Sequence, residues 1–573
     1  DELARRRGLF TQTAEAYGGV AGFYTFGPVG AELKKNIENA WRDRFVTREG
    51  NMDIEAPNVM PEQVFRASGH LDGFDDMIVD CPECGESSRA DHIVEDNTDI
   101  EEAESFSTEK IEQLFQENDL RCPECGESLA GETVDDFNLM FETSIGPGDS
   151  QPGYLRPETA QGIFVEFPRF KEYARNDLPF GIAQIGRAYR NEISPRKAIV
   201  RVRELNQAEL EYFIDPQNDS PDLEKVEDVE LTLYSREKQQ KEDGSPVKVT
   251  VEEAVENDVV NEWLGYFLGL AKKWFERVGV DMKRFRFRQH QDDELSHYAS
   301  DCWDAEADVG EEDEDWIEVE GFAYRGCYDL KKHMQHSEED FTIFQEFDEP
   351  VTERKAVVDP DMSWLGPTYG DHASEIVDEL ERMAEKEPEV FERNSELMIE
   401  LDGEKFEIPV EKTNFQIKEV EKHGENILPE IVEPSMGVDR ALYTVLVHNL
   451  ETDEVDGEER TVLRLPPEVA STDVAVFPLM DKGGLGEKAQ EIVKELREAG
   501  FNTDYDDSGA IGRRYRRQDE VGTPFCVTVD YESLEDGTVT LRDRDSTEQV
   551  RVGIDELENV LTELFEGKSF SQL

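Results

Sequence analysis

Positive charge is what this chain has least of. Across 573 residues, 61 Lys+Arg stand against 134 Asp+Glu, a formal net charge of −73. So few cations argue against a DNA-binding protein, whose affinity comes from counterions released by a basic face. No stretch of about 18 apolar residues occurs, which excludes a membrane-spanning helix. No secretory leader is visible in a chain that begins at Asp1 rather than Met, and a cytoplasmic protein is expected. Charge imbalance can signal disorder, but 37% hydrophobic residues and long periodic segments argue for folded cores. The composition is that of a halophilic protein, whose acidic surface stays hydrated in molar salt, where the Debye length shrinks to about 3 Å. The length predicts two or three domains.

Cysteine is also sparse, with seven in all. Four of them form two C-x-x-C knuckles, CPECG at 81–85 and CPECG at 122–126. Cys81, Cys84, Cys122 and Cys125 can offer four thiolates to one tetrahedral Zn²⁺, and a Cys₄ set leaves no open position for water, so the ion is expected to be structural. Disulfide pairing is the weaker alternative in a reducing compartment. The acidic stretch 85–121 between the knuckles reads as an exposed arm, and Cys302, Cys327 and Cys526 read as isolated, buried small residues.

The segment QIGRAYRNEISPRKAIVRVRELNQAELEYF (184–213) carries the strongest pattern. A period of two puts Gly186, Ala188, Arg190 and Glu192 on one strand face, two small residues leaving room for a ligand. A basic loop with Pro195, Arg196 and Lys197 follows, and a return strand aligns Leu205, Gln207 and Glu209. One inward arginine among inward carboxylates suits a ligand that is anionic at one end and cationic at the other. Further on, EPSMGVDRALYTVL (433–446) reads as a strand turning into a helix at Pro434 and Gly437, with Ala441, Leu442, Val445 and Leu446 as its apolar stripe. Arg440 falls in the first helical turn, where the helix dipole also favours an anion. Near the start, Leu33, Ile37 and Trp41 share a helix face ahead of the extended run DIEAPNVMP.

These three segments resemble motifs 2, 3 and 1 of the class II aminoacyl-tRNA synthetases, including the signature Arg190-Asn191-Glu192. The stretches AEAYGGVAGFYTFGPVG, FNLMFETSIGP (137–147), YLRPETAQGIF (154–164), HYASDCWDAE (297–306) and GFAYRGCYDL (321–330) resemble the glycyl-tRNA synthetases in particular, in their dimeric archaeal and eukaryotic form. The resemblance runs from about residue 8 to the C-terminus. It implies an α+β catalytic domain on an antiparallel sheet over 1–470, with a zinc-binding insert at 78–135 and charged inserts at 216–285 and 336–428. From about 471, alternating strands and helices, with Ala489, Ile492, Val493 and Leu496 as one buried face, predict an α/β domain that resembles an anticodon-binding domain. The acidic run 309–320 reads as a solvated loop that enters a strand near Trp316. The basic cluster Arg513, Arg514, Arg516 and Arg517 has no motif to separate an RNA contact from a solvated face.

The resemblance implies ATP, Mg²⁺, glycine and tRNA(Gly) as ligands and a homodimer whose interface includes the first motif. ATP would be held by Arg190, Asn191 and Glu192, by Val200, Arg201, Val202, Arg203, Glu204 and Leu205, by Glu318 and Val319, and by Gly437, Val438, Asp439 and Arg440. Arg190 would grip the α-phosphate and Arg440 the γ-phosphate, because guanidinium stays charged and binds bidentately. Glu192 would meet the adenine amino group, and Glu318 would hold ATP through Mg²⁺. Leu205 stands where most relatives carry a stacking Phe, which removes an aromatic contribution of roughly 1 kcal/mol. Glycine would be held by Arg66, Glu158, Arg325, the run Leu205, Asn206, Gln207, Ala208, Glu209, and the run Glu433, Pro434, Ser435, Met436, Gly437, with Glu158, Glu209, Glu433 and Ser435 around its ammonium. A synthetase for another small amino acid and a catalytically inactive RNA-binding relative are the alternatives; the carboxylate-rich pocket opposes the first, and Arg190, Glu192 and Arg440 oppose the second.

Overall fold

A computed structural model describes residues 2–98, 100, 103, 106–148, 151–195, 197–241, 244–292, 294–296, 298–310, 314–401, 403–455, 457–480 and 482–573, with the side chains of 348 and 371 left aside. Arg196, His297 and residues 311–313 of the acidic run therefore lie outside the described residues. Two compact units result, 1–341 with 428–573, and 342–427.

The first unit is built on a nine-stranded sheet. Its strands in chain order are β1 (Met52–Asp53), β2 (Phe180–Tyr189), β3 (Glu204–Ile214), β4 (Glu230–Tyr234), β5 (Val247–Thr250), β6 (Phe285–Gln289), β7 (Asp301–Asp308), β8 (Trp316–Gly326) and β9 (Glu430–Gly437). In space they run β5-β4-β6-β7-β8-β9-β3-β2-β1. All neighbours are antiparallel except β1–β2 and β4–β6. The central strands therefore stand side by side although β3 and β9 lie more than two hundred residues apart.

Helix α1 (Pro28–Trp41) opens with Pro28, whose ring presets the first turn, and buries Leu33, Ile37, Ala40 and Trp41. Helix α2 (Glu262–Arg277) begins at Asn261, whose side chain accepts from the Trp263 N–H, and presents Trp263, Phe267, Leu270, Trp274 and Phe275 to the sheet core with Phe285 and Phe287. Helix α3 (Val438–Asn449) packs Ala441, Leu442 and Val445 into the same core.

One carboxyl group is buried in that core with little to compensate it. Glu320 on β8 is fully buried, and both its oxygens lack a hydrogen bond among the described residues. Burial pushes it up to about 8, and the Trp41 indole N–H beside it offsets part of the rise. The folded chain therefore holds a proton there that the unfolded chain, with a carboxyl near 4.3, gives up. The stabilising contribution is complete below the unfolded value and is lost as pH rises towards 8, at no more than about 1.4 kcal/mol per pH unit. Glu320→Gln, which keeps the shape without the proton, is expected to gain melting temperature relative to the parent between pH 5 and 8. Parallel melting curves for the two proteins across that range would exclude this.

The stretch between the cysteine knuckles is not an arm. Helical segments Ala90–Asn97 and Thr108–Glu117 bury Ile93, Val94, Ile111, Leu114 and Phe115 in a local core with Val79, Leu120 and Leu129. Apolar residues at three- and four-residue spacing outweigh the acidic composition.

Residues 473 onwards form a second sheet, from β10 (Val474–Pro478), β11 (Thr503–Tyr505), β12 (Phe525–Val529), β13 (Thr538–Asp543) and β14 (Gln549–Gly553), in the order β11-β10-β12-β13-β14. Helix Leu485–Glu498 covers it with Ala489, Ile492, Val493 and Leu496. The arginines at 513–517 are mostly consumed internally. Arg514 is buried and donates to the carbonyls of Pro478, Asp507 and Gly509, Arg517 pairs with Asp506 at 2.6 Å, Arg516 lies 3.4 Å from Asp519, and Arg513 stays exposed. The separate unit 342–427 holds the antiparallel strand pair Ile343–Val357 with Gln416–Ile427, the hairpin Glu396–Leu401 with Glu404–Pro409, and helix Ala373–Lys386.

Candidate active site

The antiparallel registers assemble an acid-lined pocket on β3, β9 and β8. Glu209 sits opposite Ser435, and Glu433 opposite Ala323. Glu209 accepts from the Ser435 hydroxyl at 2.6 Å, from the Thr159 N–H at 2.7 Å and from the Thr159 hydroxyl. Glu158 accepts from Gln161 at 2.9 Å and lies 3.7 Å from His70. Burial would raise Glu158, but His70 and Arg325 hold its carboxyl well below the ordinary range. Three of the carboxylates named from the sequence thus share one pocket.

Arg325 does not offer that pocket a free cation. Its guanidinium donates to both oxygens of Glu433 at 2.9 Å and to both of Asp329 at 2.8 and 3.0 Å, and it stacks 3.9 Å over the Tyr298 ring. Asp329 is the second residue of the helical segment Tyr328–Ser337, so the pair ties the end of β8 to the start of that helix. Glu211 is a further buried acid that the motif comparison passed over. The register joining Glu209 to Ser435 and Tyr212 to Val432 sets Glu211 opposite Glu433, with both Glu211 oxygens lacking a hydrogen bond among the described residues. Burial first, then Glu433 and Glu209, raise Glu211 well above the carboxylate range, against Arg325. Burial, Glu209 and Glu158 likewise push Glu433 up to about 7. Two carboxyls facing each other cannot both ionise cheaply, so the pair keeps a proton at neutral pH. The signal was present, since Glu211 continues the period-two row Gln207, Glu209.

The small residues of β2 do not leave ligand space as expected. A Cβ on Gly186 would lie 2.3 Å from Nη2 of Arg156, so that room is filled by a buried guanidinium that donates to the carbonyls of Arg187 and Ala56 at 2.8 and 3.0 Å. The strand also ends at Tyr189. Arg190 and Glu192 lie beyond it in a tight turn, with the Asn191 N–H bound to the Leu139 carbonyl at 2.8 Å. Arg190 still faces the pocket wall, donating to the Pro157 carbonyl at 3.1 Å with its guanidinium 5.7 Å from the Phe74 ring.

A second cation stands across from it. Arg440, in the first turn of α3, donates to the Glu318 carboxylate at 2.9 Å and to the carbonyls of Glu318 and Val200 at 3.0 and 3.1 Å. The Glu318 side chain is 50% exposed. Partial desolvation opposes its ionisation, but Arg440 and, more distantly, Arg190 hold the carboxyl below its ordinary value. Glu192 accepts from Arg201 at 2.7 Å, and its carbonyl accepts from Arg203 at 2.9 Å. Among the described residues, two further hairpin cations are paired, Arg187 with Glu204 and Lys197 with Asp315, each at 2.5 Å.

Other positions named from the sequence are placed elsewhere. Ala208, Met436, Val438 and Val319 point into the hydrophobic core beneath the sheet, so only their backbone borders the cleft. Asp439 ties α3 to β3 by accepting from the Asn206 N–H at 2.8 Å and its amide at 2.9 Å. Arg66 lies on helix Glu62–Ser68, its side chain 57% exposed and paired with Glu62, outside the buried acid cluster. Cys302 and Cys327 are half-buried rather than buried, and only Cys526 is fully enclosed.

Pocket and cleft together present a dense set of carboxylates beside two arginines, an arrangement for a small molecule with an ammonium end and a phosphorylated end. Residues 148–449, more than half of the chain, match the tRNA synthetase class II core domain (G, H, P, S and T). The chain belongs to the class II tRNA synthetases. Residues 473–564 match an anticodon binding domain. Among curated relatives, the glycine–tRNA ligase of Methanothrix thermoacetophila is 48% identical over 99% of this chain and 96% of its own length. Those of Methanothermobacter thermautotrophicus and Archaeoglobus fulgidus are each 46% identical over 98% of this chain, covering 98% and 96% of their own lengths.

This synthetase chain also brings its two knuckles together. Cys81 and Cys125 sulfurs lie 3.5 Å apart, and those of Cys84 and Cys122 3.7 Å. Four sulfurs at about 2.3 Å from one Zn²⁺ stand about 3.8 Å from each other, so the set fits that ion. The two turns are copies of each other. In each, the first Cys carbonyl accepts at 2.9 Å from the N–H of a glycine, Gly85 or Gly126, whose φ of 74° or 77° the side-chain-free backbone adopts readily.

Proposed function

We propose that this chain activates glycine with ATP, forming glycyl-adenylate and pyrophosphate, and transfers glycine to the 3′-terminal adenosine of tRNA(Gly). The observation that carries this is the buried acid cluster of Glu158, Glu209, Glu211 and Glu433, which suits an ammonium group, set beside Arg190 and Arg440. Full-length relatives bearing the name glycine–tRNA ligase support it.

Glycine offers no side chain, so its ammonium and the absence of bulk must identify it. Glu209, held by Thr159 and Ser435, and Glu158, held by Gln161, are fixed acceptors for that ammonium. Glu433, tied to Arg325, closes the same side. An added methyl group would meet packed walls, at about 1–3 kcal/mol. The glycine carboxylate then attacks the α-phosphorus in line with departing pyrophosphate. No covalent nucleophile on the protein is needed, because alignment and cations on the phosphate oxygens lower the barrier. Arg190 serves the α-phosphate. Arg440 exchanges its bond with Glu318 for the γ-phosphate. Glu318, a hard and partly exposed carboxylate, fits Mg²⁺, which when bound supplies charge neutralisation between phosphates. The Cys₄ set would hold Zn²⁺ as a structural clamp on the insert, the 473–564 segment would read the tRNA, and a second copy would pair through the first motif in a cytoplasm of high salt.

The test is amino-acid-dependent ATP–pyrophosphate exchange in molar KCl, with glycine beside alanine, serine, threonine and proline. Exchange with glycine alone is expected. Exchange with another amino acid would mean the pocket is misread, and none from a folded protein would favour an inactive RNA-binding relative.

A further inference from the structure

We infer that His290, Cys302 and Asp304 form a second metal site, separate from the cysteine knuckles, that takes a thiophilic divalent cation of the zinc class. Cys302 and Asp304 are two apart on β7 and so share a face of the sheet. His290 directly follows β6, and its N–H donates to the Cys302 carbonyl at 3.0 Å, which seats the imidazole beside that face. Its Nε2 lies 2.8 Å from an Asp304 oxygen. Its Nδ1 is buried and has no hydrogen-bond partner among the described residues. One ligating atom from each of the three side chains lies within 4.8 Å of the others. Across the sheet, Gly321 faces the group without a side chain; a Cβ there would stand 3.7 Å from Asp304 Oδ1 and 3.9 Å from Glu318 Oε1, leaving the carboxylates uncovered.

The donor set decides the ion. One sulfur, one imidazole nitrogen and one carboxylate oxygen suit Zn²⁺, Co²⁺ or Cd²⁺, whereas Mg²⁺ and Ca²⁺ seek oxygen alone. Three protein ligands leave a fourth position for water, unlike the closed Cys₄ set. Binding forms a metal–sulfur bond as the thiol proton passes to solvent, a metal–nitrogen bond through a ring nitrogen that carries no proton, and a metal–oxygen bond to Asp304.

The experiment loads the full-length chain with ¹¹³Cd²⁺ in chloride-free salt at an ionic strength that keeps it folded, then removes unbound ion. Two cadmium ions per chain and two NMR resonances are expected, one from an all-thiolate site and one shifted towards mixed sulfur, nitrogen and oxygen ligation. Cys302→Ser and His290→Gln should each lose the second resonance and keep the first. A single ion and a single resonance in the unaltered chain overturn the assignment, as do two resonances that both survive the substitutions. The unaltered chain's count decides the matter even if a variant fails to fold.

Discussion

Arg440→Ala is expected to lower glycine-dependent ATP–pyrophosphate exchange by roughly 10²–10³-fold, the usual loss when one preorganised charge donor is removed from a developing anion. The side chain is partly exposed, and its polar partners are the Glu318 carboxylate and the carbonyls of Glu318 and Val200 at the cleft edge. The fold should therefore survive, and circular dichroism should be unchanged. Arg440→Lys should recover only part of the rate, since an ammonium cannot reproduce the bidentate fork. The loss should fall on kcat more than on the KM for glycine, because Arg440 stands away from the acid pocket. A decline of less than tenfold in kcat/KM for ATP would remove Arg440 from the phosphate-binding role.

The second large effect is that of salt. Dilute buffer is expected to abolish the cooperative melting transition, and molar KCl to restore it. A net charge of −73 leaves most acids without a cation, and many cations among the described residues are already committed to pairs such as Arg187–Glu204, Arg201–Glu192 and Arg464–Glu451. Like charges crowd even in exposed hairpins, where Glu407 raises the carboxyl of Glu396 by direct approach and repulsion. At about 0.01 M salt the Debye length is about 30 Å, so such repulsions add across the whole molecule; at about 1 M it is about 3 Å, and they reach only nearest neighbours. A melting temperature that does not move between these two salt concentrations would rule out the halophilic reading.

Much of the architecture was legible in the order of residues. Alternation along 180–189 and 204–214, interrupted by Pro195, specifies a hairpin because strand geometry has a period of two. Leu33, Ile37 and Trp41, or Ala489, Ile492, Val493 and Leu496, specify buried helix faces for the equivalent reason at 3.6. Expectation and structure differ where a partner lies on another element or where an average hides a pattern. The alternation through Gly186 predicts space for a ligand, but the occupant is Arg156, about thirty residues earlier. The resemblance places Arg325 against glycine, but Asp329 and Glu433 already pair with its guanidinium. The high average charge between the knuckles predicts an arm; its helices are set by where the few apolar residues fall, which an average conceals. Cys302 reads as isolated because its neighbour His290 follows another strand.

The sequence by itself determined the class of protein, the hairpin and helix faces, the paired cysteine knuckles and the excess of acid, since each depends on residues within one turn or one strand of each other or on composition. Only the tertiary structure decided which charges neutralise which. Whether a carboxylate binds an ammonium, keeps a proton as the Glu211–Glu433 pair does, or is consumed by a guanidinium depends on distance and burial. Those are properties of strands brought together by register, and no local pattern encodes them.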